Sequence, residues 1–116
     1  MQAAKDAILL RILIGEDDRF ERRPLYEAIV MKAREMQLAG ATVLRGPMGF
    51  GRSSRLHTAK ILRLSEDLPF IIEIVDDEEK IDAFLPVLDG MMTSGLVTLQ
   101  RVQALHYGPV EGPGAP

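Results

Sequence analysis

Hydrophobic and polar positions alternate with a period of two over residues 8–14. Leu10, Ile12 and Ile14 fall on one face, with Leu9, Arg11 and Leu13 on the other. Both faces are mostly apolar, which predicts a strand at the centre of a sheet. Gly15 ends it, and a polar loop over 16–19 follows. Pro24 stands where a helix can begin, because the first turn loses no bond to proline. From there Leu25, Ala28, Ile29, Ala33 and Met36 recur at helical spacing, with Glu27, Lys32 and Glu35 opposite and Gly40 as the stop signal. A second strand opens over 42–44 and runs into a glycine-rich stretch, after which 58–64 reads as strand-like. Residues 70–75 form the clearest strand: Phe70, Ile72 and Ile74 share one face, and Ile71, Glu73 and Val75 the other. Asp76 and Glu79 are predicted to cap a second helix. Its apolar face is Ile81, Phe84, Leu85, Leu88 and Met92, Pro86 should kink or restart it, and Gly95 should close it. A last strand spans 96–107, with a slip in alternation between Leu99 and Val102 that predicts a bulge near Gln100.

The order β-α-β-β-α-β predicts an α+β, ferredoxin-like sandwich, two helices covering one face of a four-stranded antiparallel sheet, with a long connection in the middle. The other face stays bare. It carries Leu9, Leu13, Ile71 and Val75, with Arg11 and Glu73 among them. An apolar patch of that kind marks an interaction surface, so self-association into a ring is expected. The strands over 8–14 and 70–75 are expected to be neighbours running parallel, with Arg11 and Glu73 meeting as an ion pair.

Composition narrows the function. A chain of 116 residues suits one domain, drawn here at 1–107, followed by a flexible tail at 108–116 rich in glycine and proline. With 14 basic and 17 acidic residues the formal net charge is -3, which argues against a nucleic-acid partner held by bulk charge. Cysteine is absent, removing disulfides and thiolate chemistry. No apolar run is long enough to cross a bilayer, and the first residues show no signal-peptide pattern. A small cytoplasmic domain is expected.

The candidate chemistry is concentrated in Arg45-Gly46-Pro47-Met48-Gly49-Phe50-Gly51-Arg52-Ser53-Ser54-Arg55-Leu56-His57-Thr58. Gly46, Gly49 and Gly51 would let backbone N–H groups approach a ligand. Arg45, Arg52 and Arg55 offer planar donor forks for phosphate or carboxylate, and Ser53, Ser54 and His57 add hydrogen-bonding groups. Residues 46–53 nearly match the P-loop pattern G-x-x-x-x-G-K-[ST], with Arg52 where lysine belongs. A hydrolase would also need a helix after the loop and more strands than this length allows. No G-x-S-x-G elbow accompanies Ser53 or Ser54. His57 and His106 lack metal-ligand spacing, and neither a catalytic nor a metal site is assigned.

Several separate strings resemble the PII-like signalling proteins, the small group long catalogued as a domain of unknown function. They are Pro24-Leu25-Tyr26-Glu27-Ala28-Ile29, Gly40-Ala41-Thr42-Val43-Leu44-Arg45-Gly46, Gly49-Phe50-Gly51-Arg52, His57-Thr58-Ala59-Lys60, Leu64-Ser65-Glu66-Asp67-Leu68-Pro69 and Val75-Asp76-Asp77-Glu78-Glu79-Lys80-Ile81. The likeness covers roughly residues 8–107, and Arg45-Gly46 would open the T-loop of that group. It implies a ferredoxin-like fold, a homotrimer, and a small anionic ligand, an adenine nucleotide, in the clefts between subunits. It also implies a regulatory rather than catalytic role, signalling through the loop 45–58, and a membrane transporter or channel as partner. Two departures stand out. The carboxylates of Asp76, Asp77, Glu78 and Glu79 would repel a triphosphate, so AMP or ADP fits more easily than ATP. The loop also has no tyrosine to modify. A nucleotide hydrolase using 46–53, or a metal-tolerance trimer of similar fold, are the alternatives.

Overall fold

The computed structural model describes residues 3–50, 57, 58 and 68–107. Among these residues the elements follow in the order β1 (Lys5–Gly15), β2 (Arg19–Phe20), β3 (Arg23–Pro24), α1 (Leu25–Glu35), β4 (Thr42–Arg45), β5 (Met48–Gly49), β6 (His57–Thr58), β7 (Pro69–Asp76), α2 (Glu78–Asp89) and β8 (Leu96–Ala104). The main sheet has the order β4-β7-β1-β8, and both helices pack against one of its faces. This is the ferredoxin-like α+β arrangement. The strand-like reading of 59–64 and the tail at 108–116 lie outside the described residues.

The period-two pattern sets the layers. Ile8, Leu10, Ile12 and Ile14 are buried along β1, as are Phe70, Ile72 and Ile74 along β7. Leu25, Ala28, Ile29 and Ala33 of α1 and Ile81, Phe84 and Leu88 of α2 close over them. The Tyr26 ring meets Phe70 edge to face at 4.6 Å. Each fully buried side chain of this size contributes roughly 1.5–3 kcal/mol relative to exposure, so the shared face is the main source of stability.

β1 and β7 are neighbours, but they run antiparallel, with Leu10 opposite Ile74 and Arg11 opposite Glu73. The parallel expectation is therefore corrected. The crossover through α1 makes β4 run with β1, and β7, lying between them, must return the other way. β8 pairs with β1 in one unbroken register from Leu13↔Leu96 to Lys5↔Ala104, so no bulge interrupts it at Gln100, and it ends at Ala104. Its polar and apolar positions do not alternate because it is an edge strand with little of either face covered.

The helix ends also differ from the prediction. α1 stops at Glu35 rather than near Gly40. Gln37 adopts the left-handed conformation, φ 63°, and the following amides turn back: Gln37 N–H donates to Arg34 O at 3.0 Å and Leu38 N–H to Ala33 O at 3.0 Å. That is the Schellman geometry with glutamine in glycine's place. α2 runs through Pro86 without restarting, since the proline sits late in a short helix, and it closes at Gly90 rather than Gly95. Asp77, not Asp76, stands at its N-cap and makes no side-chain cap bond. Asp76 instead accepts from Ala39 N–H at 2.8 Å and from Asp77 N–H at 2.7 Å, tying the α1–β4 connection to the end of β7.

Candidate functional site

The loop leaves the sheet at the Arg45 end of β4 and returns at Leu68 and Pro69. Gly46 N–H donates to Pro69 O at 2.7 Å. A Cβ on Gly46 would stand 2.8 Å from Pro69 Cγ, and one on Gly49 would stand 3.0 Å from the same atom. A side chain at Gly46 would thus displace the proline ring and one at Gly49 would crowd it, and the Gly46 N–H is already used. Arg45 Nη2 donates to Glu16 Oε1 at 3.0 Å, with the arginine side chain 48% exposed and the glutamate 25%. Glu16 lies just past β1, and its own N–H donates to Leu68 O at 2.7 Å. Further out, Met48 and Phe50 are exposed, at 57% and 71%.

Met48 pairs with Thr58 and Gly49 with His57 in a small antiparallel ladder. That ladder corrects the P-loop alternative. Gly49 lies in a paired strand inside 46–53, where a phosphate-cradling loop between strand and helix would be needed. Of the predicted site residues, the structure brings Arg45, Gly46, Gly49 and the backbone of His57 to one end of the sheet. Gly51, Arg52, Ser53, Ser54 and Arg55 lie outside the described residues. His106 is exposed beyond the far end of β8. The carboxylates of 76–79 also sit at that far end, away from Arg45 within the chain.

Sequence reasoning missed a second feature at the loop end. The chain between α2 and β8 contains Thr93, Ser94 and Gly95. Together with Leu85, Met92 and Val97 they line an open groove of about 750 Å³ between α2 and the edge strand β8. Gly95 has φ 117°, and a Cβ there would meet Leu13 O at 2.7 Å. Only glycine lets the chain enter β8 so close to β1. The signal was present as two hydroxyl residues between the helix stop and a glycine, but it resembled any short connection.

The helix-free face of the sheet carries Leu9, Leu13, Leu44, Ile71, Val75 and Leu96, none of them fully buried. At its centre Arg11 and Glu73 face each other across the strands. Arg11 Nε and Nη2 both reach Glu73 Oε2 at 2.9 Å, with the two side chains 38% and 30% exposed. The expected ion pair is present, across antiparallel rather than parallel strands. Among the described residues no helix is long and apolar enough to cross a membrane.

A family model described as "DUF190: Uncharacterized ACR, COG1993" matches residues 7–104. A UPF0166 protein of Aquifex aeolicus is 40% identical over 98 residues, covering 84% of this chain and 92% of the relative. A protein of Thermus thermophilus described as PII-like and signalling superposes with a TM-score of 0.64 at 15% identity, covering 88% of this chain and 92% of its own. CPII, a nitrogen regulatory PII-like protein of Thiomonas intermedia K12 bound to ADP, AMP and bicarbonate, superposes with a TM-score of 0.61 at 16% identity, covering 90% and 92%. At these identities the likeness to the solved structures is one of fold.

Proposed function

Because the chain belongs to the DUF190 family and has the fold of PII-like proteins, we propose that it is a non-catalytic regulatory subunit. It acts as a homotrimer that takes a small anionic ligand of the adenine-nucleotide class between subunits and signals through the loop 45–58. The observation that carries this reading is the placement of Arg45 and the Thr93–Ser94 groove. They sit at the same end of the sheet but on its two opposite edge strands, β4 and β8. Within one chain they do not converge. A neighbouring copy that sets its β4 beside β8 brings them together and covers the helix-free face as the ring closes.

Arg45 then supplies the positive charge, with Arg52 and Arg55 as further donors, and Gly51, Ser53, Ser54 and His57 complete the proposed contacts. The nucleotides of CPII support the ligand class. AMP and ADP are preferred over ATP, since the groove, which Asp82 and Asp89 also line, presents hydroxyls and carboxylates rather than a cluster of cations. Exposed Met48 and Phe50 give the loop an apolar surface for a protein partner, and a membrane transporter or channel is the partner proposed. Calorimetric titration with AMP, ADP and ATP tests the reading, alongside mass measurement by light scattering. Saturable binding without product, by a species of three chains, is the expected result. A monomer, or turnover of the nucleotide, would overturn it.

A further inference from the structure

Glu16 touches both arms of the loop. Its side chain holds Arg45 on the outgoing arm at 3.0 Å, and its amide holds Leu68 on the returning arm at 2.7 Å. Since β7 lies between β4 and β1, the ion pair spans the end of β7 above Pro69, the residue on which Gly46 and Gly49 pack. The guanidinium nevertheless remains about half exposed, so a solvent-borne anion can reach it. The geometry points to Glu16 as a built-in competitor: its carboxylate occupies Arg45 until an anionic ligand displaces it, and the displacement unhooks the outgoing arm from β1. This deepens the proposed function and rests on Arg45 being a ligand contact.

The argument is one of charge and exclusivity. Carboxylate and phosphate seek the same planar fork of N–H donors, so ligand and Glu16 compete for it. A ligand shifts an equilibrium only by its differential affinity for the two states. Here the differential arises because the ligand binds well only where Glu16 has let go. The returning arm keeps its tie through the Glu16 amide, while the outgoing arm loses its Glu16 contact and rests on its backbone bonds to β7, among them Gly46 N–H to Pro69 O, so the two arms of the loop respond unequally. Glu16 lies within the Gly15–Asp18 turn, in which Asp18 Oδ2 accepts from Gly15 N–H at 3.0 Å and Asp18 O accepts from Leu25 N–H at 2.8 Å. That turn is held independently, so removing the Glu16 charge should leave the start of α1 in place.

The test uses the full chain with Glu16→Gln and Glu16→Ala, titrated with ADP. A partly exposed ion pair of this kind corresponds to about a two- to fivefold change in affinity, so both variants should bind ADP tighter by that factor. In an Arg45→Gln background the Glu16 substitution should change nothing. In parallel, hydrogen exchange at the Gly46 amide should be faster in the ligand-free Glu16 variants than in the wild type, and ADP should speed it in the wild type alone. Unchanged or weaker ADP binding in both variants, or unchanged Gly46 exchange, overturns the proposal. If the wild type and both variants all fail to bind ADP, the nucleotide reading fails separately. The same exchange comparison with inorganic phosphate as the anion then decides whether Glu16 competes: acceleration in the wild type only supports it, and none refutes it.

Discussion

Glu73→Gln and Arg11→Met, singly and together, probe how the sheet tolerates charge on the face that assembly would cover. In the isolated chain the pair is about one-third exposed, and its two contacts of 2.9 Å run to a single carboxylate oxygen. An ion pair screened to that degree contributes roughly 0.2–1 kcal/mol, so neither single change should unfold the subunit. In a closed ring the same side chains would lose their water together. Breaking a fully buried pair by removing one partner costs about 3–5 kcal/mol, because an uncompensated charge stays behind. Removing both leaves an apolar and a neutral side chain, which costs less. Each single variant should therefore dissociate at higher protein concentration than the wild type, and the double variant should recover much of the loss. The assay is dissociation on dilution, followed by sedimentation velocity, with the four proteins forming a double-mutant cycle. A coupling well above about 1 kcal/mol is expected, beyond what an exposed pair supplies. Strictly additive effects would refute the reasoning, since they would mean that the face stays wet or that assembly uses another surface.

Two further predictions concern backbone positions. Gln37→Gly should raise the melting temperature by several degrees in a thermal scan. Relief of the left-handed backbone is worth about 1 kcal/mol beyond the added chain entropy, and an unchanged or lower midpoint would contradict the capping geometry. Gly95→Ala should be more damaging than Gly46→Ala in the same scan. The first meets a backbone oxygen at 2.7 Å in a conformation alanine avoids, whereas the nearest atom to the second is Cγ of the Pro69 ring, with backbone oxygens no closer than 3.5 Å. The reverse order would show that the entry to β8 is looser than its geometry indicates.

Much of the fold was legible because burial writes itself into spacing. Leu10, Ile12 and Ile14 against Ile72 and Ile74 define both the strands and the layer they share. Direction was not legible in the same way. Alternation along residues 70–75 reads identically whether the strand runs up or down, and only its position between β1 and β4 decides. The helix stop was misplaced because a glycine was expected where Gln37 accepts the left-handed turn. At the site, the spacing of Gly46 and Gly49 marks a close approach but not its partner, and the structure shows both packed on Pro69, distant in sequence. Glu16 carried no motif at all. Its contacts are purely spatial, arising because β1 and β4 end near one another across one intervening strand.

The pairing of β4 with β7 has a consequence for how the loop can change. The long connection from Arg45 to Pro69 begins and ends on adjacent strands, with Arg45 directly opposite Phe70. The entropy of closing such a connection grows only with the logarithm of its length, so doubling it costs about 0.6 kcal/mol. The sheet beneath is nearly indifferent to how many residues the loop contains. Changes of length beyond the β5–β6 ladder are therefore cheap in stability, and the domain that holds the connection can stay the same while its length varies.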